Sequence, residues 1–360
     1  MALQRLKIVN IRNISRQEMD FSNNINVLYG GNGSGKTAIL EAIYTVSLGK
    51  SFRAPSLSGI VQLGSEGFMV SADLQATSVK LQKKNTQKAQ FFVANNPVDS
   101  IVELARLLPV QLLNLQGYQL LNAPPETRRK FLDWTMFHVE PAFFKLWRDY
   151  HQVLRQRNAV LRDKYTQNNE GLGYWTAKLA ELGQQLHVSR ETVLKNWLEY
   201  TENFCEGMPG VNKLKIAYES GWDADERDFA QKLQQSALHD KALGYTKYGP
   251  HRADLSFTLA DGKAQHLLST GQQKSFVAAL QLAQSQWVAE ATEKNPILLI
   301  DDLPSELDAF ARAKLADTLS KTSSQVFITS VEKKAFLSLL EDRPKKMFHV
   351  EQGAVTAVIA

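Results

Sequence analysis

Gly30-Gly31-Asn32-Gly33-Ser34-Gly35-Lys36-Thr37 satisfies the pattern G-x-x-x-x-G-K-[ST], and its flanks supply the context that the pattern needs. Before it, Ile25-Asn26-Val27-Leu28-Tyr29 is a short apolar run that predicts a strand. After it, Ile39, Leu40, Ile43 and Val46 fall at helical spacing between Thr37 and Leu48. Strand, glycine loop and helix together predict a phosphate cradle. Gly30, Gly31, Asn32, Gly33, Ser34 and Gly35 let the backbone curl its N–H groups around phosphate oxygens, and the helix N-terminus adds a favourable dipole. In such a loop Lys36 reaches the β and γ phosphates and the Thr37 hydroxyl ligates Mg2+, so ATP and Mg2+ are the expected ligands.

Near the other end of the chain, Pro296-Ile297-Leu298-Leu299-Ile300-Asp301-Asp302 places paired carboxylates at the tip of a buried strand. Asp301 is suited to act on Mg2+, directly or through another ligand, and Asp302 to orient or deprotonate an attacking water. Leu268-Ser269-Thr270-Gly271-Gln272-Gln273 resembles the LSGGQ signature of the ABC ATPases, and Ser305-Glu306-Leu307-Asp308 stands where that class carries its D-loop, which brings Asp308 into the nucleotide set. Ser269, Gly271, Gln272 and the N–H groups opening the next helix would form a second phosphate clamp. In that class such a clamp serves the phosphate loop of another copy, so the resemblance implies an ATP-dependent homodimer.

The first ninety or so residues are otherwise strand-rich. Leu6, Ile8 and Ile11 alternate with polar residues, and Phe68-Met69-Val70 and Gln90-Phe91-Phe92-Val93 flank a candidate hairpin bearing Lys80, Lys83, Lys84 and Lys88. From Glu126 to Lys241 the period becomes helical: Phe131, Trp134, Phe137, then Phe144, Trp147, Tyr150, Leu154, and later Leu179, Leu182, Leu186. The polar stretch from Asp163 to Gly173 predicts a fold-back between helices of about twenty residues, each about 30 Å long. Past Gly244 strand character returns, with Ile297 to Ile300 and Gln325 to Ile328 as buried parallel strands. The expected fold is α/β: an ABC-type P-loop ATPase head formed from both ends of the chain, 1–115 and 244–360, with an inserted, mostly helical lobe, 116–243, carrying a short antiparallel helix pair.

Composition fits this reading and excludes others. Of 360 residues 44% are apolar and 22% charged, too apolar for bulk disorder. The single Cys205 cannot form an intramolecular disulfide, no apolar run approaches the roughly 18 residues of a membrane span, and Met1-Ala2-Leu3-Gln4-Arg5 leads into no signal segment. A cytoplasmic protein with no membrane partner is expected. The net charge of +5 is too small to identify a nucleic-acid binder by itself.

Taken end to end, the chain resembles the RecF family of bacterial DNA recombination and repair ATPases, relatives of the SMC proteins. Besides the ATPase motifs the resemblance rests on Phe21 to Lys36, Leu40-Glu41-Ala42-Ile43-Tyr44, Arg129-Lys130-Phe131-Leu132-Asp133-Trp134, Arg155-Gln156-Arg157-Asn158-Ala159 and Tyr248-Gly249-Pro250-His251-Arg252-Ala253-Asp254. Only about 130 residues separate the ATPase halves, which excludes the long coiled-coil members. The resemblance implies a weak, DNA-stimulated ATPase switch that binds double-stranded DNA and single-strand/double-strand junctions, works with RecR and RecO, and indirectly loads RecA. It also implies that Arg12 approaches the nucleotide and that Gln111 or Gln116 couples Mg2+ to the helical lobe, Gln111 being favoured.

This sequence departs from the ABC pattern in Thr270 for glycine, Asp302 for glutamate, and Thr329 or Ser330 where a switch histidine stands. A hydroxyl cannot replace imidazole in proton chemistry, so slow hydrolysis is expected. Candidate DNA contacts are Lys80, Lys83, Lys84, Lys88, Arg128, Arg129, Lys130, Arg155, Arg157, Arg162 and Lys164, reading phosphates and shape rather than bases; His251 and Arg252 belong to the nucleotide or DNA side or to a structural turn. The rival readings are an ABC transporter nucleotide-binding subunit, which commonly uses the missing histidine, and a small-molecule P-loop kinase, which needs no signature.

Overall fold

The computed structural model describes residues 2–114, 120–163, 171–211, 213–222, 228–302, 307, 309–331 and 344–358. The chain divides into two units, Met1–Tyr118 with Thr270–Ala360, and Gln119–Ser269.

The first unit opens with β1 (Leu3–Ile11), β2 (Ile14–Asp20), β3 (Ile25–Tyr29), α1 (Lys36–Leu48), β4 (Gly67–Leu74), β5 (Ser78–Lys84), β6 (Gln90–Val93), β7 (Asn96–Val98), α2 (Ile101–Leu107) and β8 (Val110–Leu113). Its strands make an antiparallel sheet in the order β2-β1-β4-β5-β6-β7, so the lysine-bearing segment does pair as a hairpin. The helix α1 contacts β1, β4 and β5 of this sheet on one side and β8 of a second sheet on the other. That position explains why Ala38, Ile39, Leu40, Ala42, Ile43 and Val46 are all buried: a helix wedged between two sheets has no solvent face. Burying each of its larger aliphatic side chains contributes about 1.5–3 kcal/mol, so the end of α1 that carries Lys36 is fixed by packing well away from it.

The second unit holds α3 (Pro125–Val139), α4 (Phe143–Arg162), α5 (Leu172–Cys205), β9 (Lys215–Glu219), α6 (Phe229–Gln235), α7 (Ala237–Leu243), β10 (Asp254–Leu259), β11 (Gly262–Lys263) and α8 (Ala264–Leu267). Arg157 Nε of α4 donates to Thr176 Oγ1 of α5, while Tyr150, about two turns earlier, lies over Gly183, so the two helices run antiparallel. At 34 residues α5 is longer than its visible period suggests, because the buried stripe continues through Val193, Leu194, Trp197 and Phe204. The stretch 244–269, read from sequence with the C-terminal ATPase part, packs in this unit. There β10 pairs along β9, and Asp254 takes both Nε and Nη2 of Arg128 at 2.6 and 2.8 Å.

Two other ion pairs tie this unit together. Arg157 is fully buried, with Nη1 donating to Asp240 Oδ2 at 2.8 Å and to Thr246 Oγ1 at 2.7 Å. Arg190 donates through Nε and Nη2 to Asp133 Oδ1 at 3.1 and 2.7 Å, and through Nη1 to the Pro250 carbonyl at 2.8 Å. Arg157 is therefore withdrawn as a DNA contact, its guanidinium being fully buried against Asp240, and Arg128 is engaged by partly buried Asp254. Arg129 is half-buried, with Nη1 on the Ala253 carbonyl at 2.6 Å. His251 joins the framework, its Nδ1 2.8 Å from the Tyr150 hydroxyl and its Nε2 3.1 Å from the Thr246 carbonyl. Burial pushes its pKa down to about 4, in keeping with a place in the packed turn.

The chain returns to the first unit with α9 (Thr270–Thr292), β12 (Ile297–Ile300), α10 (Ala309–Lys321), β13 (Val326–Ser330), β14 (Lys345–Glu351) and β15 (Ala354–Val358). These strands complete the second sheet, β15-β14-β3-β13-β12-β8, parallel except for the edge strand β15. Every residue of β12 is buried, as its unbroken apolar run requires in a parallel sheet. Buried Gln325 stitches the sheets: its Nε2 donates to the Leu3 and Ser22 carbonyls and its Oε1 accepts from the Leu3 N–H, at 2.7–2.8 Å. Among the described residues, no helix is long and apolar enough to cross a membrane.

Because Arg157 and Asp240 are fully buried together, Arg157→Ala leaves an uncompensated carboxylate. It should cost about 3–5 kcal/mol of unfolding free energy by denaturant titration. A DNA-contact arginine would leave the denaturation midpoint unmoved.

Candidate active site at the phosphate loop

The loop between β3 and α1 is held by two hairpin turns from opposite ends of the chain. From the β1–β2 turn, Asn13 Nδ2 donates to the carbonyls of Gly33 at 3.2 Å and Ser34 at 3.0 Å. From the β14–β15 turn, the Gly353 N–H donates to the Ser34 carbonyl at 2.7 Å. Gln352 and Gly353 have φ of 49° and 84°, the two left-handed residues of a tight hairpin, and a Cβ on Gly353 would stand 2.2 Å from the Asn13 carbonyl. Gly30 is equally constrained: a side chain there would meet the Val350 carbonyl at 2.2 Å. The cradle is thus shaped by β14, β15 and the first hairpin as well as by its own glycines.

Lys36 is buried, and its ammonium donates to the Gly30 and Gly31 carbonyls at 2.9 Å each. The Thr37 hydroxyl donates to Asp301 Oδ1 at 3.0 Å, joining the phosphate loop to the end of β12. The Thr329 hydroxyl, near the end of β13, donates to the same oxygen at 2.9 Å. Burial raises the Asp301 pKa; these two hydroxyls oppose the shift, and the neighbouring Asp302 charge adds to it. Asp302 adopts a left-handed φ of 51°.

A cleft of about 220 Å3 runs along these groups, lined by Arg12, Asn13, Asn32 to Ala38, Arg53 and Asp302. Arg12 is aimed by Glu41, whose side chain is fully buried in α1: Arg12 Nε and Nη2 each donate to one carboxylate oxygen at 2.8 Å, and Nη1 donates to the Gly59 carbonyl at 2.8 Å. Hydrogen bonding to Glu41 raises the arginine pKa. Ser51 Oγ also donates to Glu41.

The structure therefore brings Arg12, Lys36, Thr37 and Asp302 to one cleft with loop residues Asn32 to Gly35, and Asp301 is joined to it through Thr37. Gln111 is not brought there. It sits mid-strand in β8 opposite Leu298, is buried, and donates through Nε2 to Gln284 Oε1 of α9 at 3.3 Å. Its strand position points it into packing, short of the strand end where a ligand could be met. Gln116 and Asp308 lie outside the described residues, as does Lys164. Ser269 immediately precedes α9 and is exposed, as is Thr270; Gly271 and Gln272 are half-buried in the first turn and do not line this cleft. Sequence reasoning missed Asn13, Glu41, Arg53 and Gly353 as site residues. Gln352-Gly353 carries a hairpin signal, but no local pattern says that its turn meets a loop more than 300 positions earlier.

The family model described as the RecF/RecN/SMC N terminal domain matches residues 2–356. The chain belongs to the RecF family. It is 37% identical to the DNA replication and repair protein RecF of Cellvibrio japonicus, over 99% of each chain, and 35% identical to that of Shewanella halifaxensis, over 99% of this chain and 98% of the relative. A solved structure of the recombination mediator RecF with ATP, described within the RecFOR pathway, superposes with a TM-score of 0.87 at 25% identity, covering 99% and 98% of the two chains. An SMC head bound to the C-winged helix domain of ScpA shares the fold at a TM-score of 0.58, 13% identity and 99% and 97% coverage. The α/β ATPase head expected from sequence is thus that of the RecF and SMC proteins, and the chain is a DNA replication and repair protein of RecF type. These likenesses do not favour the transporter-subunit reading.

Gln111→Ala should lower the melting temperature while leaving ATP affinity within about twofold, since the side chain faces α9. Asn13→Ala, which removes two bonds to the loop, should weaken ATP binding about 5- to 30-fold. Equilibrium titration with a fluorescent ATP analogue measures both.

Proposed function

We propose that the protein is an ATP-dependent recombination mediator that binds Mg-ATP in this cleft, dimerises on it, and hydrolyses it slowly as a switch on DNA. The observation that carries the reading is the 3.0 Å bond from Thr37 Oγ1 to Asp301 Oδ1, which brings a loop hydroxyl and a strand-end carboxylate together beside Asp302. Both are hard oxygen donors of the kind Mg2+ takes, and burial of Asp301 makes a cation welcome there. Held by Thr37 and Asp301, Mg2+ would supply charge neutralisation for the phosphate oxygens.

In this reading the protein's own groups do the rest. Lys36 and N–H groups of the loop ahead of α1 bind the β and γ phosphates, and Arg12, braced by Glu41, faces the nucleotide. Asp302 orients the attacking water and accepts its proton. Ser269, with the N–H groups of Gly271 and Gln272 opening α9, closes on ATP bound by a second copy, and Asp308 belongs to the same interface. The short Asp302 side chain and a hydroxyl where a histidine could stand make turnover slow.

The RecF of similar structure is described as a recombination mediator in the RecFOR pathway. By that likeness the proposal extends to work with RecO and RecR, indirect loading of RecA, and binding of double-stranded DNA and single-strand/double-strand junctions, in the cytoplasm and without a membrane partner. Exposed Lys84, Lys88, Lys130, Arg155 and Arg162, with half-buried Lys80 and Lys83, remain as phosphate contacts; DNA stimulation of the ATPase follows from the same coupling.

Asp302→Asn should keep ATP binding but slow turnover by about 100-fold or more, because an amide cannot accept the proton of water. Single-turnover hydrolysis checks this, and the variant should accumulate as an ATP-bound dimer in sedimentation. Lys36→Ala and Ser269→Arg homodimers should each be inactive. Mixing them should restore part of the DNA-stimulated ATPase, since one interface of the heterodimer then pairs an intact Lys36 with an intact Ser269. Heterodimers that form by cross-linking yet stay inactive would remove the composite site.

A further inference from the structure

Thr329 is the last residue but one of β13, and its backbone pairs with Leu28 at the strand that feeds the phosphate loop. The side chain is fully buried. Its hydroxyl has polar neighbours of opposite kind: Asp301 Oδ1, which it donates to at 2.9 Å, and the Asp302 N–H, which donates to it at 2.8 Å. An N–H can only donate and the single hydroxyl proton is used on Asp301, so the orientation of the group is fixed by both bonds. Asp302 holds a left-handed φ of 51°, which a non-glycine residue adopts at a cost and only when its surroundings enforce it. That φ decides where the Asp302 side chain points, and Asp302 lines the cleft.

We propose that Thr329 is a positioning residue for ATP hydrolysis: its hydroxyl, anchored on Asp301, clamps the Asp302 backbone in the left-handed conformation, so that the Asp302 carboxylate faces the phosphate site. The inference rests on the proposed roles of Asp301 and Asp302. It assigns this hydroxyl, at one of the two positions where a switch histidine could stand, a task that requires no proton transfer. Without the bond to its N–H, Asp302 relaxes toward negative φ and its carboxylate leaves the line of attack. Nucleotide binding, supplied by Lys36 and the loop N–H groups, does not pass through Thr329.

Thr329→Val keeps the branched shape of a buried strand residue and removes only the hydroxyl, while Thr329→Ser keeps the hydroxyl. In the full-length protein with Mg-ATP, Thr329→Val should lower kcat about 10- to 100-fold with KM and ATP affinity within about threefold, and Thr329→Ser should stay within about threefold of the parent. Thr329→Ala carries the same expectation if the valine variant is insoluble. Added to Asp302→Asn, Thr329→Val should slow turnover no further, because the carboxylate it positions is already gone. A hydroxyl-free variant at parental kcat, while Asp302→Asn is slow, overturns this inference and leaves the catalytic reading intact. Equal loss of ATP affinity and kcat, or a further drop in the double variant, also overturns it by assigning the hydroxyl to binding or to another step. Asp302→Asn at the parental rate would remove the catalytic reading and this inference together.

Discussion

One carboxylate oxygen organises the site. Asp301 Oδ1 accepts from Thr37 at the start of α1 and from Thr329 near the end of β13, while Asp301 itself directly follows β12. Three elements that are remote in sequence are thereby pinned to one point. Burial disfavours the charged form of this carboxyl, and the two hydroxyl donors offset part of that penalty. An acceptor in this position constrains its surroundings more than a surface carboxylate would, because a lost bond is not replaced by water. The geometry of the phosphate loop and of the paired acids is therefore a single constraint.

The same economy governs the loop itself. A glycine-rich segment is permissive, and permissiveness alone would leave its N–H groups unaligned. Asn13 and Gly353, each from a hairpin turn, take the Gly33 and Ser34 carbonyls and so fix the path of the loop. Gln325 performs a related task lower in the unit, satisfying both main-chain groups of Leu3 so that the antiparallel sheet stays in register with the parallel one. Packing of α1 between the sheets provides the bulk of the stability, and these few polar contacts define the alignment.

Unit Gln119–Ser269 uses charge differently. Its arginines 128, 157 and 190 are paired with Asp254, Asp240 and Asp133 in settings that exclude most or all solvent, and neutral His251 bridges Tyr150 to the Thr246 carbonyl. Several of the segments that carry the family resemblance in this unit supply these groups: Asp133, Arg157, His251 and Asp254. They hold helices and strands together at a place where polar groups, once buried, tolerate only their own partners.

What the sequence determined by itself was whatever its chemistry makes local. The loop from Gly30 to Thr37 needs adjacent glycines, a lysine and a hydroxyl; the strand Ile297 to Ile300 needs an unbroken apolar run; Asp301 and Asp302 need only to follow it. Contiguous requirements leave contiguous traces, and the α/β head built from both chain ends was legible from them. The tertiary structure alone decided every pairing across distance. Glu41 holds Arg12 from 29 positions away, Thr329 reaches back 28 to Asp301, and Asn13 braces Ser34 from 21. It also turned Gln111 toward Gln284 and buried Arg157. A strand's alternation tells which face a side chain takes but not what lies opposite, and an arginine's charge is the same in solvent or in a core. Only the folded chain sets whether that charge meets water, a phosphate or a buried carboxylate.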